Sequence, residues 1–174
     1  MKISILLASL LLLTSMSCRK NPPQYPTVFS NDGFLEYSKK FNKDLVQMEN
    51  EQFIEYMQTH PGDFIQTTAG FYMTRTAMDS LAVAEDRDTI SFTYRIDNIQ
   101  DSTLYNYETI GRKTIVMGQT NLIPGIEYAL KRMQPGEEAT VLVPSTLAYG
   151  LEGDGAAIGA DQPLIVYIKL FKIF

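Results

Sequence analysis

The residues of this chain that could do chemistry are few, and most arrangements that support bond-making catalysis are missing from it. The only histidine, His60, precedes Pro61-Gly62 with no ligand partner at metal-binding spacing, and it reads as a solvated helix-end residue. No Ser/His/Asp set is legible, and the acidic residues form no pair with a distinctive spacing. Gly153-Asp154-Gly155 lacks the Lys-Ser or Lys-Thr pair of a phosphate loop and reads as a mobile turn. What remains is Leu122-Ile123-Pro124-Gly125-Ile126 and, downstream, Ala148-Tyr149-Gly150. These supply branched apolar side chains and one tyrosine hydroxyl, which needs a partner if it is buried. They point to neither a metal nor a cofactor.

The elements that must position them are readable. Pro124 suits a first helical position, where its fixed φ helps and its missing N-H is not needed. Ile126, Ala129, Leu130 and Met133 recur at helical spacing, and Pro135-Gly136 stops the pattern. Ala139 to Val143 reads as a buried strand, ended by Pro144 and Ser145. Gly70 to Arg75 begins the β-rich part. Ile90 to Tyr94 alternates, placing Ile90, Phe92 and Tyr94 on one face toward the core. Ile115 to Met117 and Leu164 to Phe171 complete the set, with Leu164, Val166, Ile168 and Leu170 on one face of the last strand. Several antiparallel strands and one short helix give an α+β domain.

The N-terminus indicates an exported protein. Lys2, the apolar run Ile3 to Leu13, and small residues before Cys18 form a secretory signal too short to span a bilayer. The sole cysteine sits where cleavage is expected, so Cys18 reads as the acylated first residue of a bacterial lipoprotein; the alternative is a secreted protein with a chance cysteine. The expected divisions are a signal peptide at 1–17, an extended proline-containing tether at 18–31, a helical extension at 32–66 and the β-rich domain at 67–174. That domain is expected to fold without the extension. In the extension Phe34, Tyr37, Phe41, Leu45 and Met48 fall at steps of three and four. They either pack on the protein or dock a partner. Beyond them the apolar residues change phase, which implies a kink near Asn50 or two short helices. With 45% hydrophobic and 20% charged residues the chain can bury a core, and a net charge of -5 without a basic cluster argues against nucleic acid.

From Met117 to Gly150 the chain resembles FKBP-type peptidyl-prolyl isomerases, through Ile123-Pro124-Gly125 and Ala148-Tyr149-Gly150, and the likeness extends over about residues 69–174. Within that family it is most similar to gliding-motility-associated lipoproteins of Bacteroidetes-like bacteria, which share a lipobox, an acidic helical preface and a loop like Tyr149 to Gly159. The resemblance implies an antiparallel sheet wrapped around one short helix. It matches Tyr94 to a core-strand aromatic, Leu122 and Ile123 to the pocket wall, Ile126 to its floor, Tyr149 to the rim hydroxyl, Ile158 to the closing loop and Val166 to an aromatic wall. It also implies departures. Ile126 replaces a tryptophan, Val166 an aromatic, and a Phe-Asp pair becomes Leu104-Tyr105, or Tyr105-Asn106 with one insertion.

The activity so implied needs no nucleophile. Rotation about an Xaa-Pro bond faces a barrier of roughly 18–20 kcal/mol. A dry pocket disfavours the charge-separated amide, while Tyr149 would hold the substrate carbonyl and the Ile123 N-H would align the peptide. The resemblance implies a lipid-anchored isomerase and folding helper for proline-containing exported polypeptides, on the outer membrane facing the periplasm. The alternatives are a non-catalytic peptide-binding module and an accessory subunit of a secretion or gliding machine.

Overall fold

The computed structural model describes residues 32–74 and 82–174, so the signal segment, Cys18 and the tether lie outside the described residues. Two compact units divide the chain, 1–39 and 40–174, and every described strand belongs to the second.

Helix α1 (Asp32–Thr59) is one uninterrupted helix of 28 residues, which removes the alternative of two short helices. Its inward positions in the second unit are Leu45, Glu49, Phe53 and Tyr56, at steps of four, four and three. The buried stripe therefore runs through Asn50 unbroken, with a glutamate taking the turn where an apolar residue belongs. Leu45 faces inward, which removes it from any docking face, whereas Tyr37, Phe41 and Met48 are exposed. The side chain of Phe34 is outside the described set. His60 follows the helix end as expected, but it is not merely solvated: its ring stacks on Tyr56, and Nε2 lies 3.1 Å from Asp101 Oδ2.

Strand β1 (Phe64–Gln66) pairs antiparallel with β2 (Tyr72–Thr74). It falls within the 32–66 division but after His60-Pro61-Gly62, where the helical pattern ends, and three residues are too few to display an alternation. Then come β3 (Thr89–Asn98), β4 (Thr103–Tyr105), the single turn α2 (Tyr107–Ile110), β5 (Lys113–Val116), α3 (Pro124–Leu130), β6 (Glu138–Val143), a 3-10 turn (Ser145–Leu147) and β7 (Leu164–Ile173). The sheet runs β1-β2-β6-β7-β3-β4, and β5 pairs with the other end of β3. All pairings are antiparallel.

The strand parity sorts side chains into two cores. One face sends Phe92, Ile96, Val141, Val143, Val166 and Ile168 against Ile126, Ala129 and Leu130 of α3. The other sends Leu142 and Ile165 against Phe53 and Tyr56 of α1. Tyr56 and Tyr167 join their hydroxyls across this second core at 2.9 Å.

The approach of α3 to β6 depends on Gly125. A Cβ there would stand 2.3 and 3.0 Å from the two methyls of Val143 and 3.3 Å from the Leu147 carbonyl. The valine is stiff at χ1 and cannot swing away. Gly125→Ala is therefore expected to destabilise the protein by about 1–3 kcal/mol through overpacking, although alanine is the better helix former. Urea denaturation checks this, with a lower midpoint and an unchanged slope.

Candidate functional site

Pro124 stands in the first turn of α3, as its chemistry requires, and Ile123 is the N-cap in extended conformation without a side-chain capping bond. The cap therefore leaves an apolar side chain where most helices carry a polar one. Ile123 is 8% exposed, and Ile126, one turn on, is fully buried. Val166 comes from the middle of β7 and Ile158 from the loop before it, both buried in the same cluster. Leu122, Tyr94, Leu104, Tyr105 and Tyr149 pack against that cluster half-buried. Nine of the ten residues expected at the site thus share one apolar cluster.

Asn106 is the tenth, and it is not among them. It is exposed, and its side-chain oxygen accepts from the Thr109 N-H at 2.8 Å as the N-cap of α2. Its side chain serves helix geometry and not the apolar cluster.

Tyr149 follows the 3-10 turn, and among the described residues its hydroxyl has no hydrogen-bond partner. Burial raises its pKa, and the nearby Asp154 carboxylate adds to the rise. Burial pushes Tyr94 up to about 12, with a smaller contribution from Tyr149. Both hydroxyls are therefore neutral donors at physiological pH, and Tyr94 is further fixed by stacking on Phe92 at 5.9 Å. A neutral donor beside a dry apolar wall can hold a carbonyl oxygen and leave the rest of a peptide unsolvated.

One residue was missed by the sequence. Asp154, expected to lie in a mobile turn, organises the loop: Oδ1 accepts from the N-H groups of Ala156 and Ile158, both at 2.8 Å, and Oδ2 accepts from the Tyr105 hydroxyl. Its own N-H donates to the Ile158 carbonyl at 3.0 Å. Gly153 has φ +69, and a Cβ there would lie 2.3 Å from the Ile158 oxygen, so the glycine is required by close approach. The legible signal was an aspartate between two glycines, able to bond its own backbone two residues on. The loop thus ties a carboxylate to Tyr105, which packs against the apolar cluster.

Slight burial raises the pKa of Asp154, but the Tyr105 hydroxyl and the N-H groups of Ile158 and Ala156 outweigh it, and the carboxyl sits below its ordinary value. A carboxyl depressed in the folded state stabilises above its unfolded pKa and loses that contribution as pH falls through the folded value. Asp154→Asn is accordingly expected to be less stable than wild type at pH 7, with the gap closing below about pH 4. Urea unfolding at pH 7 and pH 3 measures it.

A separate cleft lies away from this cluster. A groove of about 460 Å³ runs between α1 and the β1-β2 end of the sheet, lined by Lys43, Glu49, Asn50, Phe53, Tyr72 and Pro144 among others. No group of three or more metal-ligating side chains occurs among the described residues.

The family model for FKBP-type peptidyl-prolyl cis-trans isomerases matches residues 82–171, which contain the whole apolar cluster except Phe71 and Met73. The chain belongs to this family. Among relatives of the FKBP-type chain, the probable FKBP-type peptidyl-prolyl cis-trans isomerase FkpA of Neisseria meningitidis is 27% identical over 64% of this chain and 41% of its own length. The outer membrane protein MIP of Legionella longbeachae is 26% identical over 83% of this chain and 62% of its own. The chain spans only about two to three fifths of these relatives. In fold, the crystal structure of FkpA from Escherichia coli superposes with a TM-score of 0.61 at 18% identity, covering 99% of this chain and 82% of that one. A peptidyl-prolyl isomerase from Pseudomonas syringae gives 0.60 at 20% identity, covering 75% and 94%. At such identities these solved structures establish the fold: an FKBP-type antiparallel sheet around a short helix, with an N-terminal helix before it.

Proposed function

We propose that this FKBP-type chain is a peptidyl-prolyl cis-trans isomerase that helps exported polypeptides fold at the bacterial cell envelope. The observation that carries the reading is the Tyr149 hydroxyl, without a hydrogen-bond partner among the described residues, on a residue packed against the apolar cluster that Leu122, Ile123, Ile126, Ile158 and Val166 share. The wall would take the proline ring and exclude water; the hydroxyl would hold the carbonyl; the twisted amide would be favoured over the planar one. A thousandfold acceleration requires only about 4 kcal/mol of differential stabilisation. Tyr149→Phe is expected to lower kcat/KM about 5- to 30-fold without loss of fold, since it deletes one hydrogen bond worth about 1–2 kcal/mol. Isomerisation of several Xaa-Pro peptides by the soluble protein tests the reading, and a wild type no faster than the uncatalysed reaction overturns it.

A second reading has its own support. Ile126 and Val166 lack the rings of catalytic relatives, and Asn106 is turned to a helix cap, so a module that binds proline-containing segments without accelerating them fits the same cluster. Peptide binding without acceleration would select it. The likeness to gliding-motility lipoproteins extends this to assembly of an envelope machine, with Tyr37, Phe41 and Met48 as the exposed part of a docking surface.

The proposed location is the outer membrane, facing the periplasm, held by acyl chains on Cys18. It is supported by the apolar run before the sole cysteine and by one relative named as an outer membrane protein. No described helix is long and apolar enough to cross a membrane. Fatty-acid label is expected on the wild type and absent from Cys18→Ser, since two or more acyl chains at about 0.8 kcal/mol per methylene anchor durably. An unlabelled wild type would remove the anchor.

A further inference from the structure

We propose that Glu49 on α1 is a positioning residue for the Tyr149 hydroxyl, which makes the helix ahead of the FKBP-type sheet a working part of its site. The proposal rests on the isomerase reading for what the hydroxyl does. How the hydroxyl is held follows from the environment of Glu49 and of the turn beneath it.

Glu49 is 1% exposed and fills the inward position between Leu45 and Phe53. Among the described residues its carboxylate has no cation at ion-pairing distance. Both oxygens accept from the backbone N-H of Ser145, at 3.3 and 3.2 Å, and the hydroxyl of the same residue also favours the charged carboxyl. A buried carboxylate served only by neutral groups of one residue is a costly arrangement, and a leucine there would continue the stripe at lower cost. Burial accordingly pushes the carboxyl pKa up; the Ser145 hydrogen bond opposes this, and Asp161 adds to it. Glu49 therefore weakens the helix-sheet contact it sits in, and what it provides in return is the bond to Ser145.

Ser145 opens the turn that delivers Tyr149. Its carbonyl accepts from the N-H groups of Ala148 at 3.0 Å and Gly150 at 2.9 Å, the two neighbours of Tyr149. Its own Oγ is buried and makes no hydrogen bond of good geometry among the described residues, so the well-defined link to α1 is the backbone one. Pro144 before it has no N-H to offer. The far side of the turn is held as well, because the Leu147 carbonyl and Val143 press against Gly125 at the head of α3. The segment carrying the hydroxyl is thus clamped between the helix bearing Ile126 and the helix bearing Glu49.

Proline-peptide kinetics on the full chain test this. Glu49→Leu removes the acceptor, and kcat is expected to fall about tenfold with KM changed less than twofold. Glu49→Gln keeps an amide oxygen for the Ser145 N-H and is expected to restore most of that loss. Tyr149→Phe introduced into the Glu49→Leu background should cost less than a further twofold, because the hydroxyl is already misplaced; independent effects would multiply. Wild-type kcat in Glu49→Leu, or multiplying losses in the double variant, overturns the proposal. Should Glu49→Leu fail to fold, Ser145→Pro removes the donor from the other side, since Pro144 is already extended (φ -63, ψ 152) as a residue before proline must be. The same tenfold fall is expected there, and full kcat overturns the proposal. A wild type without acceleration defeats the isomerase reading separately. The ring resonances of 13C-labelled Tyr149 then decide, with a shift in Glu49→Leu supporting the positioning role and unchanged resonances refuting it.

Discussion

Phe53→Ala is expected to cost about 3–5 kcal/mol, the largest single loss of stability in the second core. The ring is 2% exposed and lies over Leu142 and Ile165 on the sheet face opposite α3. It also meets Tyr72 edge-on at 6.1 Å and 65°. Nothing small can replace it, because the sheet beneath is rigid and the void would persist. A domain of this size has total stability of about 5–15 kcal/mol, so the variant should unfold at a much lower urea concentration. The same packing bears on the boundary at residue 67. A chain cut near Thr67 would lose β1, the edge partner of β2, and would leave Leu142 and Ile165 facing water. Such a truncation is expected to be molten or aggregation-prone. Cooperative unfolding near the wild-type midpoint would show that α1 is only an appendage.

Ile123→Asp is expected to abolish isomerisation, with kcat/KM down by at least thirtyfold, while the fold survives. The position is the N-cap of α3, extended and without a side-chain capping bond, and aspartate is a favoured cap. Capping returns about 1 kcal/mol of the roughly 2–3 kcal/mol lost with the isoleucine's burial. Inside the pocket the change is harsher, because a carboxylate at the wall draws water to the place where the amide must be dry. Circular dichroism and denaturation run beside the kinetics separate the two effects. A folded Ile123→Asp protein with wild-type activity would mean that the wall is not where proline sits.

The contrast between those two predictions tracks what could be read from residues alone. The apolar wall was legible because Ile126, Ala129, Leu130 and Met133 announce a helix face, and because Leu164, Val166, Ile168 and Leu170 alternate over a long strand; all eight are buried in the core that holds the site. Phe53 and Tyr56 belong to the apolar residues that change phase late in the helix, and nothing in the sequence names their target, Leu142 and Ile165. Glu49 interrupts the stripe, and a buried glutamate looks in sequence like a solvated one. Asp154 escaped for a related reason: its role is set by Tyr105, 49 residues away in the chain. Asn106 was assigned to the pocket by position, whereas the N-H of Thr109, three residues on, claimed it. Contacts between residues distant in sequence carry no periodicity, so the stripes could be read and the polar links could not.

Along β6, consecutive residues report to different cores: Val141 and Val143 line the site's side, and Leu142 between them meets α1. Substitutions a single residue apart can then be inherited separately, one altering what the site accepts and the other how firmly the helix is held. A lineage could exchange rings for Ile126 and Val166 while selection maintained the opposite face untouched. Evolvability of that kind is a property of the strand's two-residue repeat, and it lets an old scaffold acquire new clients without first becoming unstable.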